Sequence, residues 1–179
     1  MEDYTQLKQE FNTLTGLMTG LVEKVGGSVD GISREDIERG FRVEYLSYAV
    51  TLAVVDYELT AQEVKSLEDI FGITLDIDSV KALATNYKEF LERQDDVPNI
   101  YKIAVAVDNA IASNDAVTEL LSTRVSEMYS KIASAIIASD DDVAESELMV
   151  AFHLADRFSV YAEKHLSQDA KKKMMVLEG

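Results

Sequence analysis

The sequence predicts an all-α fold: a single domain of about seven to eight helices with two pseudo-repeated helix-turn-helix halves. Apolar residues recur at steps of three and four along most of the chain, and no stretch reads convincingly as a strand. Pro98 is the single proline, so interruptions of long helices are rare. Hydrophobic residues make up 47% of the 179 residues, which is enough for a core without disulfides or a structural metal.

The first predicted helix covers about residues 3–25, and Gly26-Gly27 ends it. Its apolar residues form one helical stripe of Leu7, Phe11, Leu14, Met18, Leu21 and Val25. This stripe either covers the core of the domain or forms the seam of a homodimer.

The next two helices have local start signals. Ser33 with Asp36 starts a helix that extends to about residue 55. Thr60 and Glu63 have the spacing of a capping box, and Gly72 is expected to end the third helix.

Further helices are predicted in the second half of the chain. The fourth runs from about residue 78 to 93, and the fifth covers 99–112, with Pro98 at its first turn. Ser113-Asn114-Asp115 is expected to cap a long sixth helix that ends near residue 139. A seventh spans about 145–166, and a short eighth from Asp169 is expected to fray. The predicted organisation is an N-terminal helix and linker over 1–32, a helical domain over 33–166 and a tail over 167–179.

Two stretches 84 residues apart follow one pattern and define the candidate site. In each, an apolar helix is followed by an aspartate. An acidic residue stands two positions after this aspartate, an apolar residue three positions after it, and a glutamate seven positions after it, where a second apolar helix begins. The first acidic segment (residues 56–60) and the second acidic segment (residues 140–144) are both predicted to be inter-helix turns. Upstream residues match at the same offset, Tyr45 with Tyr129 and Ala49 with Ala133.

The candidate metal ligands are the carboxylates of these segments and of the helix starts that follow them. They are Asp56, Glu58 and Glu63 in the first copy, and Asp140, Asp142 and Glu147 in the second. Capping and turn chemistry alone would explain each copy, because glutamate is favoured in the first turn of a helix. Repetition with one spacing favours a functional role. Carboxylates that share a cleft repel one another unless a cation is bound, and oxygen ligands suit calcium, magnesium or manganese.

The repeated pattern resembles the TerB-like (tellurite-resistance B-like) domain family. The resemblance rests on Val55-Asp56-Tyr57-Glu58-Leu59 with Glu63 and on Ser139-Asp140-Asp141-Asp142-Val143 with Glu147, and it covers roughly residues 35–160. It implies an all-helical fold of two similar halves. It also implies a cytoplasmic bacterial stress-response or membrane-associated signalling module with an acidic metal site and no established catalysis.

One departure from the family pattern makes the two copies unequal. The family usually has glycine directly after the aspartate, whereas this chain has Tyr57 and Asp141. Aspartate tolerates a left-handed backbone conformation, and tyrosine adopts it poorly. The second acidic segment is therefore the better candidate for an ion site.

Composition excludes several function classes. The net charge of −16 repels phosphate backbones, which argues against a nucleic-acid partner. Such a charge mainly keeps a cytoplasmic protein soluble, and it also attracts divalent cations or a basic protein partner. Cysteine is absent, the N-terminus is acidic, and no apolar run approaches the length of a membrane span. We therefore expect a cytoplasmic protein.

The sequence also argues against an enzyme. His153 and His165, its two histidines, lie in no recognisable metal-binding motif, and no phosphate-binding loop or nucleophile elbow is present. The leading hypothesis is a non-enzymatic TerB-like module that binds a divalent cation or a basic partner. The alternative is an acidic protein-interaction protein of the immunity or inhibitor type, with no ligand. A small helical hydrolase or lyase is a third class, and it would need a pocket with carboxylates of perturbed pKa.

Overall fold

The all-α prediction is confirmed over the residues that the computed structural model describes, namely 4–25, 33–55, 60–76, 78–80, 82–85, 96–114, 118–139 and 145–177. Their helices are α1 (Thr5–Val25), α2 (Arg34–Ala53), α3 (Ala61–Phe71), α4 (Asn99–Ile111), α5 (Leu121–Ile137), α6 (Glu145–His165) and α7 (Gln168–Leu177). Residues 78–80 and 82–85 are also helical, and these described ranges contain no strand. None of the described helices combines the length and the apolar character that crossing a membrane requires.

The predicted caps of α2 and α3 are confirmed. At the start of α2, the Asp36 amide donates to Ser33 Oγ and the Ser33 amide donates to the Asp36 carboxylate. Gly72 ends α3 in the left-handed conformation, with φ 66°, and its amide donates to the Glu68 carbonyl at 2.8 Å. The start of α2 and the end of α3 can be predicted from the sequence because each depends on residues only a few positions apart.

Helix α1 contributes to the core of the molecule. Phe11, Leu14 and Met18 of its apolar stripe are buried, and α1 packs against α2, α3, α4 and α5. The stripe is thus used within the chain. A homodimer through this helix stays a prediction, and it would have to use another face.

Helix α5 lies at the centre and packs against α1, α2, α3, α4 and α6. Its Tyr129 ring contacts Tyr45 of α2 at a centroid distance of 4.3 Å and Phe158 of α6 at 5.2 Å. Phe11 of α1 meets Tyr45 edge-on at 5.5 Å, and Tyr101 of α4 stacks on Phe158 at 4.3 Å. Such aromatic pairs stabilise a core beyond the burial of their area, and here they join five helices.

One predicted helix boundary differs from the structure. The sixth predicted helix begins at Leu121 rather than directly after Ser113-Asn114-Asp115, because its first amides are bound by a side chain of α4, described below. The short eighth helix that was expected from Asp169 is present from Gln168, and the Ala170 amide donates to Ser167 Oγ at its start. Fraying of this helix stays a prediction. Of the predicted fourth helix, residues 81 and 86–93 lie outside the described residues.

Candidate functional site

The first candidate turn joins α2 to α3, and its described part is a helix cap. The Thr60 amide donates to Glu63 Oε2 at 2.7 Å, and the Glu63 amide donates to Thr60 Oγ1 at 3.1 Å. Glu63 is only 2% exposed. The capping box accounts for the position of this carboxylate in the first turn of α3. Asp56 and Glu58, predicted as ligands beside it, lie outside the described residues.

The second candidate turn joins α5 to α6, and its two described ends are both buried. Glu147 is 3% exposed and occupies the third position of α6, as Glu63 does in α3. Ser139 is 2% exposed, and its hydroxyl has no hydrogen-bond partner among the described residues. Asp140 and Asp142 lie outside the described residues. Ser139 and Glu147 are therefore two buried polar residues, one on each side of the second acidic segment in the sequence.

The two turns differ in their local chemistry. Position 144, which corresponds to Thr60, is an alanine, so a reciprocal capping box of the kind formed by Thr60 and Glu63 is not possible there. Position 55, which corresponds to Ser139, is a valine without a side-chain oxygen. Within the part of the chain that is described, no group of three or more histidine, aspartate or glutamate side chains is arranged to hold a metal ion.

The carboxylate that caps α5 belongs to a residue other than the predicted ones. Asp108 of α4 is fully buried and accepts hydrogen bonds from the amides of Leu121 at 2.7 Å and Ser122 at 2.9 Å. The prediction that 113–115 cap the sixth helix is therefore wrong, since the cap comes from the preceding helix. Burial raises the pKa of Asp108, and the hydrogen bonds from Ser122 and Leu121 oppose the shift.

A second remote cap connects α2 to α4. Glu44 of α2 accepts hydrogen bonds from the amides of Asn99 at 3.0 Å and Ile100 at 2.8 Å. Burial raises the pKa of Glu44, while these hydrogen bonds lower it. Glu44 has no local signal in the sequence, because its two amide partners lie more than 50 residues further along the chain. Glu44 and Asp108, whose pKa values burial raises, thus both bind helix amides, which is a structural role.

An apolar groove between α5 and α6 is the other notable surface feature. Its floor includes Tyr129 and Phe158, and Phe152 stands at its edge with 67% of its surface exposed. The groove has a volume of about 230 Å³. His153 and His165 are exposed, and His165 stacks on Tyr161 at 4.1 Å.

Over the described residues the protein is helical and without strands, and Glu44, Glu63 and Asp108 each accept hydrogen bonds from backbone amides at the start of a helix. Comparison with known proteins finds no matching family model, no matching curated protein and no matching solved structure. The TerB-like resemblance stays a prediction that rests on the quoted residues.

Proposed function

We propose that the protein is a non-enzymatic, TerB-like cytoplasmic module of the bacterial stress response that binds a divalent cation at its second acidic segment. Calcium, magnesium and manganese are the candidate ions, with Asp140, Asp142 and Glu147 as ligands. Asp56, Glu58 and Glu63 form a weaker or purely structural counterpart.

One observation supports this choice above the others. The second acidic segment, with its three aspartates, is bracketed by the buried Glu147 carboxylate and the buried Ser139 hydroxyl. A buried hydroxyl without a hydrogen bond destabilises a protein by about 1–3 kcal/mol. A bound cation, which takes hydroxyl and carboxylate oxygens as ligands, would remove that cost.

The proposed repeat has support from matched positions. Tyr45 and Tyr129, which correspond at the offset of 84 residues, are both buried and contact each other. Ala49 and Ala133 are buried as well. Contact between equivalent residues is expected near the axis of a pseudo-two-fold arrangement.

Thermal unfolding with and without calcium, magnesium or manganese chloride tests the cation, with ionic strength matched by potassium chloride. Matching is essential because any salt screens a net charge of −16. At about 100 times the dissociation constant, binding stabilises the native state by about 2.7 kcal/mol. In a domain of this size, that free energy raises Tm by about 5–10 °C.

The variant Ser139→Ala tests whether the Ser139 hydroxyl is a cation ligand or has only a structural role. Removing a hydroxyl that makes no hydrogen bond to a described residue should leave the ion-free protein at least as stable, while cation affinity falls by about tenfold or more. Glu147→Gln and Asp140→Asn should abolish the Tm increase. Glu35→Gln, at an exposed position in α2, is the matched control and should keep it. An equal response of wild type and Asp140→Asn to all three ions would refute the cation site.

A second candidate function is protein interaction without a ligand, corresponding to the alternative of an immunity or inhibitor protein. The exposed Phe152 beside the apolar groove favours it, because large apolar side chains clustered at a surface mark interaction sites. This candidate predicts a salt-dependent complex with a basic partner and no effect of divalent cations on Tm.

A further inference from the structure

The groove between α5 and α6 exists because both helices present small side chains where they face each other. Ser130, Ala133 and Ser134 line it from α5, and Ala151 and Ala155 line it from α6. Short side chains leave a depression along the line of contact of the two helices.

The edge of the groove on α6 is apolar and open to solvent. Phe152 is 67% exposed, and its neighbours Leu148 and Met149 are 37% and 46% exposed. Such side chains stay in water at a free-energy cost that burial against a partner would recover. Exposed apolar clusters of this kind mark binding surfaces.

The dimensions of the groove fit a helix better than a small molecule. Its volume of about 230 Å³ lies below the range of about 300–1,000 Å³ typical of small-molecule pockets. The lining residues of α6 extend from Leu148 to Phe158, which corresponds to about 15 Å of helix. Anchor side chains at positions i, i+4 and i+7 of a bound helix span about 11 Å, so three anchors fit along this length.

The negative charge beside the groove determines which kind of partner helix can bind there. Glu145, Asp156 and Glu163 are exposed and lie on the side of α6 that contains Phe152, since helical positions four, seven and eleven residues apart share a face. None of these three carboxylates forms an ion pair with a described residue. The acidic edge therefore attracts lysine and arginine side chains on a partner.

We propose that this groove docks an amphipathic helix of a partner protein, with apolar anchors between α5 and α6 and basic residues along the acidic edge of α6. The proposal deepens the second candidate function and does not depend on cation binding. A second copy of this chain is disfavoured as the occupant, because two molecules of charge −16 repel each other.

A designed peptide tests the proposal on the full-length protein in the presence of EDTA. The probe is a fluorescein-labelled amphipathic helix of about four turns, with leucines on one face and lysines on the other. One reference peptide has glutamates in place of the lysines, and another has the lysine peptide's composition in an order that destroys the apolar face. Fluorescence anisotropy gives the dissociation constants at low and at physiological salt.

The lysine peptide should bind more tightly than both references, and its affinity should fall as salt rises. Phe152→Ser should weaken binding by about tenfold or more, as expected for an aromatic anchor. Val160→Ser is the matched control, because Val160 is 41% exposed on the same helix and does not line the groove. This control should bind like wild type, and both variants should keep the wild-type Tm because the two side chains are exposed.

Three outcomes would overturn the proposal. The first is equal binding of the lysine peptide to wild type and Phe152→Ser, which would assign binding to net charge alone. The second is equal binding of the glutamate peptide or of the reordered peptide. The third is a concentration-dependent dimer in sedimentation that Phe152→Ser abolishes, which would make a second copy the occupant. Loss of the cation response leaves all three outcomes unchanged, so failure of the two proposals can be told apart.

Discussion

Removing the Asp108 carboxylate should destabilise the protein more than any change at an exposed acidic residue. Asp108 is fully buried, and its two oxygens accept the amides of Leu121 and Ser122 at the start of α5. Since α5 is the central helix of the bundle, its first turn has little access to water that could replace this acceptor. Asp108→Ala leaves both amides buried without an acceptor, and Asp108→Asn leaves one oxygen in place.

The magnitude follows from the number of amides that lose their acceptor. Each buried donor left without a partner costs about 1–3 kcal/mol, and loss of a helix cap costs about 0.5–2 kcal/mol in proteins. We expect a loss of about 3–5 kcal/mol for Asp108→Ala and about 1–3 kcal/mol for Asp108→Asn. A domain with a total stability of about 5–15 kcal/mol remains folded after the smaller change.

Urea unfolding at neutral pH, followed by circular dichroism, gives these free energies. The matched control is Asp69→Asn, which removes an exposed carboxylate that pairs with Lys65 at 2.7 Å. Solvent and salt screen an exposed ion pair, so this variant should stay close to wild type. An Asp108→Ala variant no less stable than Asp69→Asn would refute the capping role of Asp108.

Two further predictions concern Glu44 and Gly72. Burial raises the pKa of Glu44 above its ordinary value of 4.5, so the native state binds the proton more tightly than the unfolded chain does. The stability that Glu44 contributes therefore falls as pH rises from 4.5 through the higher pKa of the native state. The stability of wild type relative to Glu44→Gln, from urea unfolding at pH 4 and pH 7, should thus be smaller at pH 7, and a larger difference there would contradict the sign. Gly72→Ala should destabilise the protein by about 1 kcal/mol because φ at Gly72 is 66°. Gly40 lies in the interior of α2, and no atom lies within 4 Å of a Cβ added there. Gly40→Ala should therefore stabilise the protein by about 0.5–1 kcal/mol in the same urea unfolding experiment. Equal signs for the two alanine variants would contradict this reasoning.

The sequence predicts those parts of the fold whose causes are local. Ser33 with Asp36 and Thr60 with Glu63 are three residues apart, so their caps can be recognised without knowledge of the tertiary structure.

The prediction for the start of α5 is wrong because Asp108 reaches it across the connection between two helices. Glu44 was missed for the same reason, since no local spacing connects it to Asn99.

The candidate site is predictable to a smaller extent. Glu63 and Glu147 occupy the expected third helical position, but burial of both side chains depends on tertiary packing and has no local signal. The groove beside Phe152 was also missed, because a helical repeat of apolar residues does not show which of them remain uncovered. Asp56, Glu58, Asp140 and Asp142 stay predictions.

The remote caps also bear on the order in which the helices form. Helices α2 and α3 have acceptors for their first amides within three residues, so their first turns can form before the chain is compact. The first turns of α4 and α5 instead need Glu44 and Asp108 from a helix that has already formed and docked. We therefore expect assembly to proceed from α2 through α4 to α5. A chain cut between α3 and α4 would then lose the acceptor that starts α4, so we expect that neither part folds independently.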